Sequence, residues 1–356
     1  MSVEQEKIDA LHTEIETVDA SFWETYKPEY VARGSDCLVF KIPDHANIVV
    51  KLSTHHLASA LHWYQHNEHK IPEDLLDDPE LQEPLQQATA EMDGCARELR
   101  SFFGPEKVPQ TRYVIAKIPV LPEAMGVLFD SKKPLPPETL AVIQIQKIIP
   151  EIIERTSKSL TAFFEDPEDD HNQNYGRVMT QSYFPSHVAM NEEETLRFSD
   201  KSPDIKEVVT DDSLTETVCD FLRTAIRYTN ETQRSLDTMG PDNAVLIETE
   251  DGSDYRLPDA LMPANNSEWV DEIKNGIRLF LTDPNAVDFE KLGARVVLFG
   301  SYLRFINGLA AHYNLPERID LFTDTVEAEN IPKLHDFFSR SKTAWHTRRN
   351  VPNNEI

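Results

Sequence analysis

The side chains best suited to chemistry gather in one stretch, Leu236-Asp237-Thr238-Met239-Gly240-Pro241-Asp242-Asn243-Ala244-Val245-Leu246-Ile247. After an acidic turn comes Tyr255-Arg256-Leu257-Pro258-Asp259-Ala260-Leu261. Two short apolar runs separated by turn residues read as a pair of strands, with Asn243 entering the first and Asp259 leaving the second. The Thr238 hydroxyl can orient a substrate but is a very poor proton acceptor at neutral pH. Far upstream, Arg33-Gly34-Ser35-Asp36 puts a glycine in a turn, where backbone N–H groups can approach phosphate oxygens closely. A competing constellation is the histidine-rich stretch between His55 and His69. His62 and His66 stand one helical turn apart, with His69 three further on, a spacing that could present a metal-binding face. No Glu follows His62, so the zinc-protease pattern is missing. Gly-x-Ser-x-Gly and CxxC motifs are also missing, and no base is paired with Cys37, Cys95 or Cys219.

Elements must hold these residues in place. Ile8, Leu11, Ile15 and Val18 predict an amphipathic helix over residues 3–27. Tyr30–Asp36, Cys37–Ile42 and Ile48–Leu52 then predict three short antiparallel strands, and Lys51 ends the last apolar run. A helical region is predicted over 54–103, interrupted at Pro72 and around Pro79. Its final part aligns Leu85, Ala88, Met92, Cys95, Leu99 and Phe102, and Gly104-Pro105 stops it. Strand-like runs follow at 113–118, 126–129 and 140–149. Residues 165–212, rich in Asp, Glu, Asn and Ser, read as a long loop or insertion with room for a short helix. The rest is mainly helical: 213–228, 267–282, 289–312 and about 331–345. The tail from Lys333 to Arg349 is the one basic section, with Lys333, Arg340, Lys342, Arg348 and Arg349 interleaved with Phe337, Phe338 and Trp345. It reads as a helix packed on the acidic body or as a docking tail.

Composition narrows the function classes. With 356 residues, 40% hydrophobic and 17 Phe, the chain can build a substantial core. A net charge of −27 repels phosphate backbones and argues against nucleic-acid binding. Three scattered cysteines fit free thiols in a reducing compartment. The acidic N-terminus lacks signal-peptide order, and no window approaches the roughly 20 apolar residues of a membrane span. The expectation is a cytoplasmic protein with no membrane partner.

The order of these parts resembles the protein-kinase-like superfamily, closest to the aminoglycoside and choline-type phosphotransferases, over about residues 28–320. The resemblance implies an α+β bilobal fold: a helical extension at 1–27, a small antiparallel-sheet lobe at 28–150 with the 54–103 helical insertion, and a helical lobe at 151–330 carrying the acidic 165–212 insertion. A basic helix or tail would occupy 331–356. It implies ATP and Mg2+ as cofactors. Gly34 and Ser35 would cover the phosphates, and Lys51 would contact them. Glu98, preferred over Glu91 because it lies nearer the helix end, would pair with Lys51. Asn243 and Asp259 would hold the metal. This sequence departs from the pattern at Leu236-Asp237-Thr238, where such kinases carry His-Arg-Asp or His-Gly-Asp, so Thr238 stands where the base is expected. Leu261 also replaces a glycine. The implied protein binds nucleotide but transfers phosphate poorly, like a pseudokinase. Two alternatives remain open: an active phosphotransferase using Asp237 or Asp242 as its base, and an acidic helical interaction protein with no nucleotide site. The acceptor, or any protein partner, is not specified by the sequence.

Overall fold

In the computed structural model the described residues are 22–33, 37–43, 48–53, 79–119, 138–147, 157–160, 164, 172–200, 202–238, 243–250, 252–258 and 267–350. The chain is a mixed α+β protein of two units, one spanning 1–101 and 109–149, the other 102–108 and 150–356.

The first unit is built on period-two patterning. Strands β1 (Glu29–Arg33), β2 (Cys37–Lys41), β3 (Ile48–Ser53), β4 (Thr111–Pro119) and β5 (Glu138–Lys147) form one sheet in the order β1-β2-β3-β5-β4. Every neighbouring pair is antiparallel. Along β3 every second residue is buried, which sends Ile48, Val50 and Leu52 to one face. There they join Leu38 and Phe40 of β2, Val114, Ala116 and Ile118 of β4, and Ala141, Ile143 and Ile145 of β5. The short helix α1 (Phe22–Tyr26) adds Trp23, whose ring meets Phe40 edge-on at 4.8 Å.

Helix α2 (Pro79–Phe103) starts on a proline, a position where the missing N–H would have had no helical partner. Gly104 ends it with φ of +95°, a left-handed turn that glycine adopts without steric cost. Leu81, Leu85, Cys95, Ala96 and Leu99 form the buried stripe. The Tyr113 N–H donates to the Asp93 carboxylate at 2.8 Å, tying α2 to β4.

The second unit contains helices α3 (Asn172–Tyr183), α4 (Glu192–Thr195), α5 (Pro203–Val208), α6 (Thr215–Thr232), α7 (Ser267–Thr282), α8 (Phe289–His312) and α9 (Leu334–Asn350). Strands β6 (Lys158–Ser159), β7 (Val245–Thr249) and β8 (Gly252–Arg256) form a small antiparallel sheet. Helix α8 is its axis: Asp288 caps it by accepting from the Lys291 N–H at 3.1 Å, and most of its residues are buried. It packs against α3, α6, α7 and α9. Buried Asn307 donates to the Ser182 and Ile319 carbonyls at 3.0 Å each and accepts from the Ile319 N–H at 2.8 Å, so its amide is well satisfied.

Two expectations meet their outcome here. The polar stretch read as loop carries α3, α4 and α5 over its described part. Val178, Met179, Tyr183, Phe184, Ile205 and Val208 of that stretch belong to the core. The basic tail is helix α9 packed on its unit, with Phe337 and Phe338 fully buried and Arg340 4.5 Å from the Phe289 ring centroid. The 126–129 run, most of 3–27 and the 54–78 part of the helical expectation lie outside the described residues.

Candidate functional site

The hairpin expected to carry the site forms. β7 and β8 pair in register from Val245 opposite Arg256 to Thr249 opposite Gly252, and β6 joins the other edge of β7. Asn243 and Ala244 lead directly into β7, and the Ala244 carbonyl accepts from the Leu160 N–H at 2.7 Å. Ala244, Val245, Leu246 and Ile247 are buried, so the strand anchors the residue that precedes it. Asn243 itself is only 8% exposed.

Residues 104–108 and α6 brace the hairpin. The Leu257 N–H donates to the Lys107 carbonyl at 2.8 Å, and the Lys107 ammonium donates to Asp220 at 2.7 Å. The same ammonium lies 3.9 Å from the Tyr255 ring centroid. Burial works most strongly against the charged lysine, but its hydrogen bonds and charge interactions with Asp220 and Tyr255 together outweigh it and leave the Lys107 pKa raised. Burial pushes the Tyr255 phenol from 10 up to about 12. Asp254 is held below its ordinary range: burial opposes this, and hydrogen bonds from Arg256 and the Tyr255 N–H prevail. Phe103 packs among Phe221, Tyr228 and Tyr255, with ring centroids 6.5, 6.0 and 6.3 Å away.

The expected site residues fall in different places. Thr238 is 2% exposed and Leu236 is buried, while Asp237 between them is half-buried. Upstream of the loop, Tyr302 and Thr229 share a 2.6 Å hydrogen bond inside the core. Lys51 lies within an interior strand, opposite Val39 of β2 and Gln144 of β5, on the face away from Val50 and Leu52. An edge position for it, the ordinary reading of a lysine closing an apolar run, is thereby replaced by a central, half-buried one. Glu98 of α2 is half-buried with one carboxylate oxygen shielded from solvent, whereas Glu91 accepts from Gln87 on an exposed surface. Gly34, Ser35, Asp242 and Asp259 lie outside the described residues, as do the five histidines from His55 to His69.

Among the described residues no three His, Cys, Asp or Glu side chains gather to hold a metal ion. The expected ligand pair is of another kind, one amide and one carboxylate, and of the two only Asn243 lies among the described residues. No described helix is long and apolar enough to cross a membrane. Comparison with protein-family models, curated proteins and solved structures finds no match to the chain.

Sequence reasoning missed a second feature of the helical unit, a recess lined by Arg177, Arg197 and Arg304. Only their charge in an acidic chain could have signalled it, because they lie far apart in the sequence.

Proposed function

We propose that this chain is a protein-kinase-like nucleotide-binding protein whose phosphotransfer is slowed by the loss of its catalytic base. The observation that carries the reading is a co-occurrence of elements and residues in one order. A half-buried lysine sits on the third strand of an antiparallel sheet, and the next described helix carries Glu98. A long helix, a loop and a β-hairpin follow, with buried Asn243 at the hairpin entrance. Kinases place their phosphate-contacting Lys, its Glu partner and their metal-holding Asn in that order.

On this reading the Gly34 and Ser35 backbone covers the phosphates, Lys51 contacts them, and Glu98 orients Lys51. Asn243 and Asp259 hold magnesium, which would neutralise charge on the phosphate oxygens. Thr238 can position an acceptor hydroxyl but cannot take its proton. Loss of that help slows transfer by about a hundredfold or more. Positioning and electrostatics survive it, so a residual rate is allowed.

A phosphotransfer assay with broad acceptors tests the base assignment. Thr238→Asp should raise turnover above the slow wild-type rate. Fast wild-type turnover abolished by Asp237→Ala or Asp242→Ala would instead make a neighbouring carboxylate the base. The second reading, an acidic interaction protein with no nucleotide site, is favoured by the net charge of −27. It predicts no response to nucleotide.

A further inference from the structure

We propose that the recess bounded by Arg177, Arg197 and Arg304 binds a small oxyanion, either a carboxylate or a phosphate group. This site is separate from the nucleotide reading and does not rest on it. The recess has a volume of 140 Å³, several times the roughly 30 Å³ share of one water molecule. Asn174, Tyr175 and Arg177 reach it from α3, Glu194 from α4, Arg304 from α8, and Arg197 from the segment after α4. Three guanidinium groups and one carboxylate therefore line it, in a chain whose net charge is −27. With Glu194 offsetting one of the three guanidinium charges, the lining keeps a net positive charge, which raises the local concentration of anions.

The parts differ in rigidity in the way a binding site needs. Arg304 is 4% exposed, and its head is fixed from two sides. Its Nε donates to the Thr195 carbonyl at 2.6 Å, a terminal nitrogen donates to the Glu194 carbonyl at 2.9 Å, and its plane sits 4.0 Å from the Phe164 ring centroid. This guanidinium is held in place before any ligand arrives. Arg177 and Arg197 are exposed and can close on an anion. Arg177 is steered by its ion pair with Glu194 and by the Asn174 side-chain oxygen, which accepts from it at 3.3 Å. The Lys342 ammonium, 4.6 Å from the Tyr175 ring centroid, adds a further cation beside the site. His335 carries the mark of this field: burial first, then the Arg177 charge, hold its imidazole below the ordinary value. Planar guanidinium forks match the two-oxygen edge of a carboxylate or phosphate.

The test is a thermal melt of the full chain without nucleotide or magnesium. Inorganic phosphate and succinate are titrated separately against sodium chloride at matched ionic strength. The expected result is a saturable rise in melting temperature with at least one of them. A response to phosphate alone identifies a phosphate ligand, and to succinate alone a carboxylate ligand. Arg197→Gln, at the exposed rim, should raise the half-saturating concentration about tenfold or more, since a charged hydrogen-bonding contact is worth that much. Arg304→Lys should do the same, and the rim variant decides if the buried one does not fold. Asn243→Ala should leave the anion response intact. No saturable rise with either anion, or a response unchanged in Arg197→Gln, overturns the site. A response lost in Asn243→Ala but kept in Arg197→Gln would place the anion at the nucleotide site and overturn it equally.

Discussion

At the scale of single residues, the loop between α6 and β7 combines a buried amide, a buried hydroxyl and a half-buried carboxylate at Asn243, Thr238 and Asp237. What steadies the adjoining hairpin is the contact of Lys107 with Asp220 and Tyr255, and this contact titrates. Burial raises the Tyr255 phenol from 10 to about 12, and burial also raises Tyr313 to about 12. The unfolded chain therefore releases these protons first as the pH climbs. Stability from the neutral phenols is complete below pH 10 and fades as the pH rises through 12. The raised Lys107 acts in the same direction. Urea denaturation between pH 9 and 12 should show stability falling across that window. Tyr255→Phe should make the fall shallower by about one proton, or roughly 1.4 kcal/mol per pH unit where that proton is being released. An identical slope in the variant would mean that Tyr255 ionises as freely in the folded protein as in the unfolded one.

At the scale of elements, close helix contacts organise the second unit. A Cβ on Gly176 of α3 would stand 2.2 Å from the His335 carbonyl oxygen of α9, a backbone atom that cannot swing aside. Gly176→Ala should destabilise the protein by about 1–3 kcal/mol through overpacking, read as a lower urea midpoint at unchanged slope. A midpoint equal to wild type would show that α3 and α9 separate at little cost. The helices of this unit show where the sequence was readable and where it was not. Helices α7 and α8 fall at their expected bounds because apolar periodicity is strong and Asp288 supplies a cap. Strands β2 and β3 follow from alternation alone. Helix α3 was hidden by its Asn, Gln, Thr and Ser content. Its buried hydroxyls are satisfied by its own backbone: Thr180 donates to the Gly176 carbonyl at 2.7 Å and Ser182 to the Val178 carbonyl at 2.9 Å. Buried Gln181 accepts from the Asn191 N–H at 3.1 Å. Such internal satisfaction lets a polar sequence enter a core, and composition does not reveal it. Asn243 and Thr238 stood out in the sequence through the kinase-like spacing of five residues between them, with Asn243 just ahead of an apolar run. The three arginines of the recess were not, since only folding brings α3, the segment after α4 and α8 together.

At the scale of the whole molecule, Lys51 and Glu98 belong to the first unit and Thr238 and Asn243 to the second. The net charge of −27 disfavours an unescorted polyphosphate, so magnesium should be needed for nucleotide to bind. Calorimetric titration of the full chain with ATP, with and without magnesium at constant ionic strength, tests this most directly. Binding should be saturable, require magnesium and weaken at least tenfold in Asn243→Ala and in Asp259→Ala. Binding should persist in Thr238→Ala, because that residue has no part in holding the metal. No heat of binding at millimolar nucleotide, or binding unchanged by both ligand substitutions, would contradict the nucleotide-binding reading.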